Sequence, residues 1–303
     1  MRRFSASLGR RLASGAAFTP VTPVTPVTLV MAVMAFVATP LLADDTADER
    51  RVCEMRVESE LFAADGDQPV ARSLTLFHEG AAWDFLELPS SRRGGMALGE
   101  IVLHDPARER VLVIDPVRHL KTQVELIHLE RLSVSLAKWA RSSDDRLVRW
   151  AGGPDFVSGF TQTAESFELV GPRVKYAVAY EEAPTKEAAG TYRRFADTAI
   201  LLKALLHPGG IPPFPRLAVN QRLEDAGAIP TEVTLEIDSK LAPLDVRTAR
   251  LRCVHKQHPR LLAGDLDRIE EAKSQIATAE AVDLATFAGR DQPEPVRSEA
   301  PGS

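Results

Sequence analysis

The side chains best suited to chemistry are scarce: 2 cysteines and 7 histidines in 303 residues. Three of the nine fall in one run, CVHKQH at 253–258, where Cys253, His255 and His258 bring a thiol and two imidazoles close together. A structural metal needs four such ligands around it. On a strand, positions 253 and 255 share a face while 258 falls on the other phase or in the turn beyond. No second cluster supplies a fourth ligand at a recognisable spacing, so the sequence predicts no metal site and no cofactor. His104 beside Asp105, and His119 after Asp115-Pro116, sit at expected hairpin ends. A hydrolytic site assembled there is one possible reading. Turn chemistry accounts for both aspartates without it, because an Asp carboxylate accepts from backbone amides just ahead of it. The chain lacks G-x-S-x-G, P-loop, G-x-G-x-x-G and H-E-x-x-H signatures, and no catalytic residue is assigned.

Cys53 and Cys253 both fall on the apolar phase of predicted strands. In an oxidising compartment they are a disulfide candidate, closing a loop of about 200 residues worth up to about 5 kcal/mol; the alternative is two separate buried thiols. Met55, Val57, Trp83, Phe85, Tyr176, Phe195 and Phe214 are candidates to line a ligand cavity, or else they fill an ordinary core.

The elements that position these residues follow from hydrophobic periodicity. From Val52, Cys53, Met55, Val57, Ser59 and Leu61 alternate with charged residues, the mark of a strand with one buried and one wet face. Further strands are expected at 72–78, 82–88, 98–104, 110–114, 118–124, 165–170 and 173–180, with two more around Val233 to Ile237 and Ala249 to His255. The Asp-Pro turns after 104 and 114 join the middle three into an antiparallel meander. Leu129, Leu132, Leu136 and Trp139 mark one face of a helix; Tyr192, Phe195, Ala199, Leu202 and Leu206 mark a second, stopped by HPGG at 207–210. The IPPFPR segment at 211–216 reads as stiff and extended, presenting Phe214, with a short helix possible up to Gly227. A last long helix is expected over 266–287, with Leu266, Ile269 and Ile276 inward. Strands and helices come in blocks, not in βαβ alternation. The class is therefore α+β: a strongly curved, largely antiparallel sheet of about ten strands, an incomplete barrel covered by amphipathic helices.

Composition sets the context. The chain is 45% hydrophobic and 26% charged with a net charge of −5, which excludes wholesale disorder and makes nucleic acid an unfavoured partner. Residues 1–43 carry Arg2, Arg3, Arg10 and Arg11, no acid, and the apolar run LVMAVMAFVA at 29–38. That is a secretory signal pattern with cleavage expected near Ala43; a retained anchor is the alternative, although the core is shorter than the ~20 residues of a span. The expected organisation is a signal peptide at 1–43, a single domain at 44–289, and a polar, Pro-rich disordered tail at 290–303. No later transmembrane segment is expected, and the compartment is periplasmic or secreted.

The stretch EIVLHDPARERVLVIDPVRHLKTQVELIHLERL at 100–132 sits in an exported chain of meandering strands, a central helix and further strands. At the level of this pattern, residues 52–255 resemble the periplasmic lipoprotein carriers and sorting proteins of the Lol type. The chain is longer than those carriers, through the segments at 181–230 and beyond 260, and no functional residue is transferred. The resemblance implies an unclosed, curved sheet lidded by helices that holds acyl chains without catalysis. The functional expectation is thus a non-enzymatic protein binding a lipid or other apolar ligand. Its rival is a structural envelope protein with a solid core, which meets a protein partner through the 212–216 segment and acidic surfaces.

Overall fold

A computed structural model describes residues 53–63, 66–90, 94–153, 155–238 and 249–289. The expected signal peptide, its TPVT repeat and the C-terminal tail lie outside these residues. All described residues belong to one compact unit.

The chain opens with six strands: β1 (Met55–Ala63), β2 (Ala71–His78), β3 (Ala81–Pro89), β4 (Met96–Asp105), β5 (Arg110–Asp115) and β6 (Leu120–Glu125). Helices α1 (Leu126–Arg141) and α2 (Arg146–Ala151) follow, then β7 (Phe160–Gln162), β8 (Ser166–Gly171) and β9 (Val174–Glu182). Next come α3 (Lys186–Leu206), α4 (Phe214–Asp225), β10 (Ala228–Ile237) and β11 (Ala249–His258). The end comprises α5 (Ala263–Thr278), β12 (Glu280–Ala281) and α6 (Leu284–Phe287). This is an α+β chain with one 12-stranded sheet in the order β12-β6-β5-β4-β3-β2-β1-β11-β10-β9-β8-β7, and the sheet is not closed. Every pairing is antiparallel except the short β12–β6 contact.

The Asp-Pro turns work as the sequence predicts. The Asp105 carboxylate accepts from the Arg108 amide at 3.3 Å, and that of Asp115 accepts from the Val117 and Arg118 amides at 2.9 and 2.8 Å. β1 pairs with β2 on one side and β11 on the other, so the meander β1–β6 and the strands β11–β7 grow outward from the middle. Because β6 and β7 are at opposite ends of the strand order, the chain between them must cross the sheet, and α1 and α2 lie in that crossing.

Register defines two faces. One carries Met55, Val57, Ser59, Thr75, Phe77, Asp84, His104, Tyr176, Val233, Cys253 and His255; the other carries Leu76, Trp83, Phe85, Ile101 and Leu112. On the Met55 face, Phe77, Met55 and Val57 pack with Ala188, Ala189, Tyr192 and Phe195 of α3. Val102, Val111, Val113 and Val124 pack with Leu129, Leu202 and Leu206. Phe167, Leu169, Tyr176 and Val178 pack with Leu147 of α2 and with Val219 and Leu223 of α4. On the opposite face, Leu76, Trp83, Phe85, Ile101, Leu103, Leu112 and Ile114 pack with Ile269 and Ala272 of α5.

The expected one-sided sheet therefore holds for only part of its width. Strands β2–β5 carry buried apolar side chains on both faces, because the C-terminal helix returns to the second one; β5 reads Val111 to Ile114 buried throughout. Toward β1 and β8–β11 the second face is wet and carries cross-strand pairs, Arg72–Glu60 at 2.9 Å and Lys175–Glu168 at 2.7 Å among them. Such solvent-exposed pairs are screened by water and contribute little to stability.

Three local expectations change. The last helix ends at Thr278, after which Glu280 and Ala281 pair with β6 and Asp283 caps α6 through the Ala285 and Thr286 amides. Leu266 is 42% exposed, because the buried stripe of α5 runs through Asp265, Ile269 and Ala272 and leaves it one position off. The 211–216 segment is not extended throughout: Phe214, Pro215 and Arg216 form the first turn of α4, where a proline lacking its N–H is tolerated.

Candidate functional site

A cavity of about 670 Å³ lies on the Met55 face between strands and helices, within the ~300–1,000 Å³ of small-molecule sites. The strands contribute Tyr176 from β9 with Leu235 and Ile237 from β10. Helices contribute Leu136 and Trp139 from α1, Val148 from α2, Ile200, Lys203 and Ala204 from α3, and Arg216 from α4. The α3–α4 connection, residues 207–213, completes the wall. That connection cannot continue α3: Pro208 interrupts it and Gly209 takes φ +110, a conformation glycine adopts readily. Trp139, 57% exposed, stands at the rim; the sequence placed it on the buried face of its helix.

Of the predicted lining residues, only Tyr176 borders this cavity. Met55, Val57 and Phe195 are buried in packed contact with one another's cluster, and Phe214 packs against the cluster around Phe167. Trp83 and Phe85 lie on the opposite face of the sheet, against α5. Phe85 borders a smaller hollow of about 370 Å³ there with Leu98, Ile101 and residues of α5. Sequence reasoning missed Lys203 and Arg216, the two cations of the main cavity. The available signal was a basic residue in a Pro-flanked first helical turn without an acid beside it.

A polar row crosses the same face. Ser59 Oγ and His255 Nδ1 are 2.8 Å apart on paired strands, and Thr75 Oγ1 donates to Asp84 Oδ1 at 2.8 Å, with Ser73 Oγ donating to the same oxygen. Burial pushes the Asp84 carboxyl up. Burial, then the Arg216 charge, drives His255 down to about 3. A neutral, weakly basic imidazole whose Nε2 has no hydrogen-bond partner does not activate the Ser59 hydroxyl, which needs a base oriented by a third group. Lys203 Nζ donates to Glu100 Oε1 at 2.7 Å, so its charge is matched.

The hydrolytic alternative loses its geometry. His104 is buried on the Met55 face opposite Val111, with Nε2 3.4 Å from Thr198 Oγ1, whereas His119 is exposed beyond the far end of β5. At ~3.3 Å per residue the strand holds them more than about 13 Å apart. Asp105 is engaged by Arg108 and Arg110.

The disulfide is not formed. Cys253 pairs with Leu61, while Cys53 precedes Met55 at the other end of β1, at least about 20 Å along the strand. A bridge needs Cα atoms within about 7 Å. A shared face was right for Cys253, but register separates the two. Burial pushes the Cys253 thiol up to about 11. Titration of the unfolded, unreduced protein with Ellman's reagent is expected to give two thiols, and native Cys253 to react slowly; a titre near zero would contradict the register. Cys253 and His255 share a face and His258 occupies the other, and among the described residues no three His, Cys, Asp or Glu side chains are placed to hold a metal ion.

No family model matches this chain. A search of curated proteins likewise returns no significant match.

Proposed function

We propose that this protein is an exported, non-enzymatic carrier that holds a lipid or another apolar ligand between a curved sheet and its helical cover, in the manner of the Lol-type half-barrels its sequence resembles. The reading rests above all on the apolar cavity bounded by Tyr176, Leu235, Ile200, Ala204 and Leu136. Tyr176, Leu235 and Ile237 pack into the cluster around Phe167 on one side and border the open space on the other. Burying an acyl chain there stabilises the complex by about 0.8 kcal/mol per methylene. The signal-like pattern of residues 1–43 supports export, and among the described residues no helix is long and apolar enough to cross a membrane.

The rival, a solid-core protein docking through the 212–216 segment, loses its surface: Pro212, Pro213 and Pro215 are buried. The carrier reading is tested with N-phenylnaphthylamine, an uncharged apolar fluorophore. Wild type is expected to enhance its emission saturably with a micromolar Kd. Ala204→Trp, which fills the cavity from its wall, is expected to weaken binding at least tenfold while the circular dichroism spectrum is unchanged. Absence of binding by the folded wild type would remove the proposal.

A further inference from the structure

We infer that the cavity selects a single-chain amphiphile with an anionic end group, and that Arg216 is the residue that holds this end. The inference deepens the carrier reading and rests on it. Arg216 lines the cavity, yet its Nη1 is buried without a hydrogen-bond partner, and among the described residues no carboxylate forms an ion pair with it. The side chain is part-buried, and a buried N–H without an acceptor is unfavourable; a bound anion satisfies it through a forked, charge-assisted contact.

The neighbouring charges are already committed. Lys203 is paired with Glu100; Asp197 accepts from Arg193 and from Asn220 Nδ2, at 3.2 and 2.7 Å; Glu224 is held by Arg193. Arg216 feels the Asp197 carboxylate only at longer range, and among the described residues it is the cavity cation without a direct ion pair.

Two further features point the same way. Arg216 sits in the first turn of α4, where the partial positive end of the helix adds to its own charge. That turn carries no acidic residue, and its N-cap, Pro213, makes no side-chain capping bond and itself lines the cavity. On the adjoining strand, His255 Nε2 is a second buried nitrogen without a partner, and it becomes a donor when Ser59 donates to Nδ1. Apolar walls with one matched and one unmatched cation suit a chain with a carboxylate or phosphate at its end. A neutral lipid would leave the guanidinium unmatched.

The test is displacement of N-phenylnaphthylamine from the full chain by dodecanoate, dodecyl phosphate, 1-dodecanol and dodecyltrimethylammonium, which share a tail and differ in the end group. Wild type is expected to bind one or both anions at least tenfold more tightly than the alcohol, and the cation most weakly. Preference between the two anions assigns the source, a fatty acid or a phosphate monoester. In Arg216→Met the anion-to-alcohol ratio is expected to collapse to within about twofold. If wild type binds all four probes alike, or if the Met variant keeps the full ratio, the assignment of Arg216 falls while the carrier reading stands. If neither fluorophore nor any dodecyl probe binds, the carrier reading itself fails. The comparison within wild type tests the anionic end without a variant, and Arg216→Gln, expected to collapse the same ratio, tests the residue should the Met variant misfold.

Discussion

Between pH 6.5 and pH 5 the folded protein is expected to lose about 3 kcal/mol of stability through two histidines. His255 is driven down to about 3 by burial and then by Arg216; His104 is driven down to about 4 by burial and then by Arg194, with Asp105 opposing. In the unfolded chain both return to about 6.5. Above that pH both states are neutral and the full stability is present. As pH falls, the unfolded chain takes up protons that the folded chain refuses. Each histidine then costs about 1.4 kcal/mol per pH unit until its folded value is reached. Asp84 works in the opposite sense: its raised carboxyl binds a proton earlier in the folded state and recovers part of the loss at the acid end. Urea unfolding at pH 7, 6 and 5 measures the slope. His255→Gln and His104→Gln should each flatten it by about 1.4 kcal/mol per unit. An unchanged slope in both variants would mean that neither imidazole is held neutral by the fold.

Phe77→Ala carries an expected effect at least as large, about 3–5 kcal/mol. The ring is 1% exposed, meets Phe195 edge-on at 5.6 Å between centroids and lies 6.5 Å from Tyr192. Its strand neighbours are Met55 and Ala82, and the alanine cannot expand to refill the space. The substitution removes the contact that ties β1 and β2 to α3, so no nearby side chain relaxes into the void cheaply. The urea midpoint should fall with an unchanged m-value. Val134→Ala, at a 72% exposed position of α1, is the control and should move stability by less than about 0.5 kcal/mol. A loss below 1 kcal/mol for Phe77→Ala would place that ring outside the core.

Local rules carried the element order far. The alternation after Val52, the Asp-Pro turns at 105 and 115 and the HPGG stop each encode a conformation within a few residues. Strands β1–β6, the antiparallel meander and α3 were accordingly legible before any coordinates. The α+β class followed from their arrangement in blocks. Even the shared face of Cys253 and His255 is a local fact, because a strand reverses its side chains at every residue.

What the sequence could not hold is which strand lies beside which, at what register. Cys53 and Cys253 look equivalent by phase, yet pairing Cys253 with Leu61 puts them at opposite ends of β1. Trp83 and Phe85 read as inner-face residues until α5 settles on the far side of β2–β5 and gives that face a core of its own. Nothing local singles out Arg216 until the turn of α4 brings it to an apolar wall beside Tyr176. Phase is written residue by residue in the backbone. Adjacency, burial of a charge and the space left between layers are properties of contacts across the whole chain, and only the folded structure sets them.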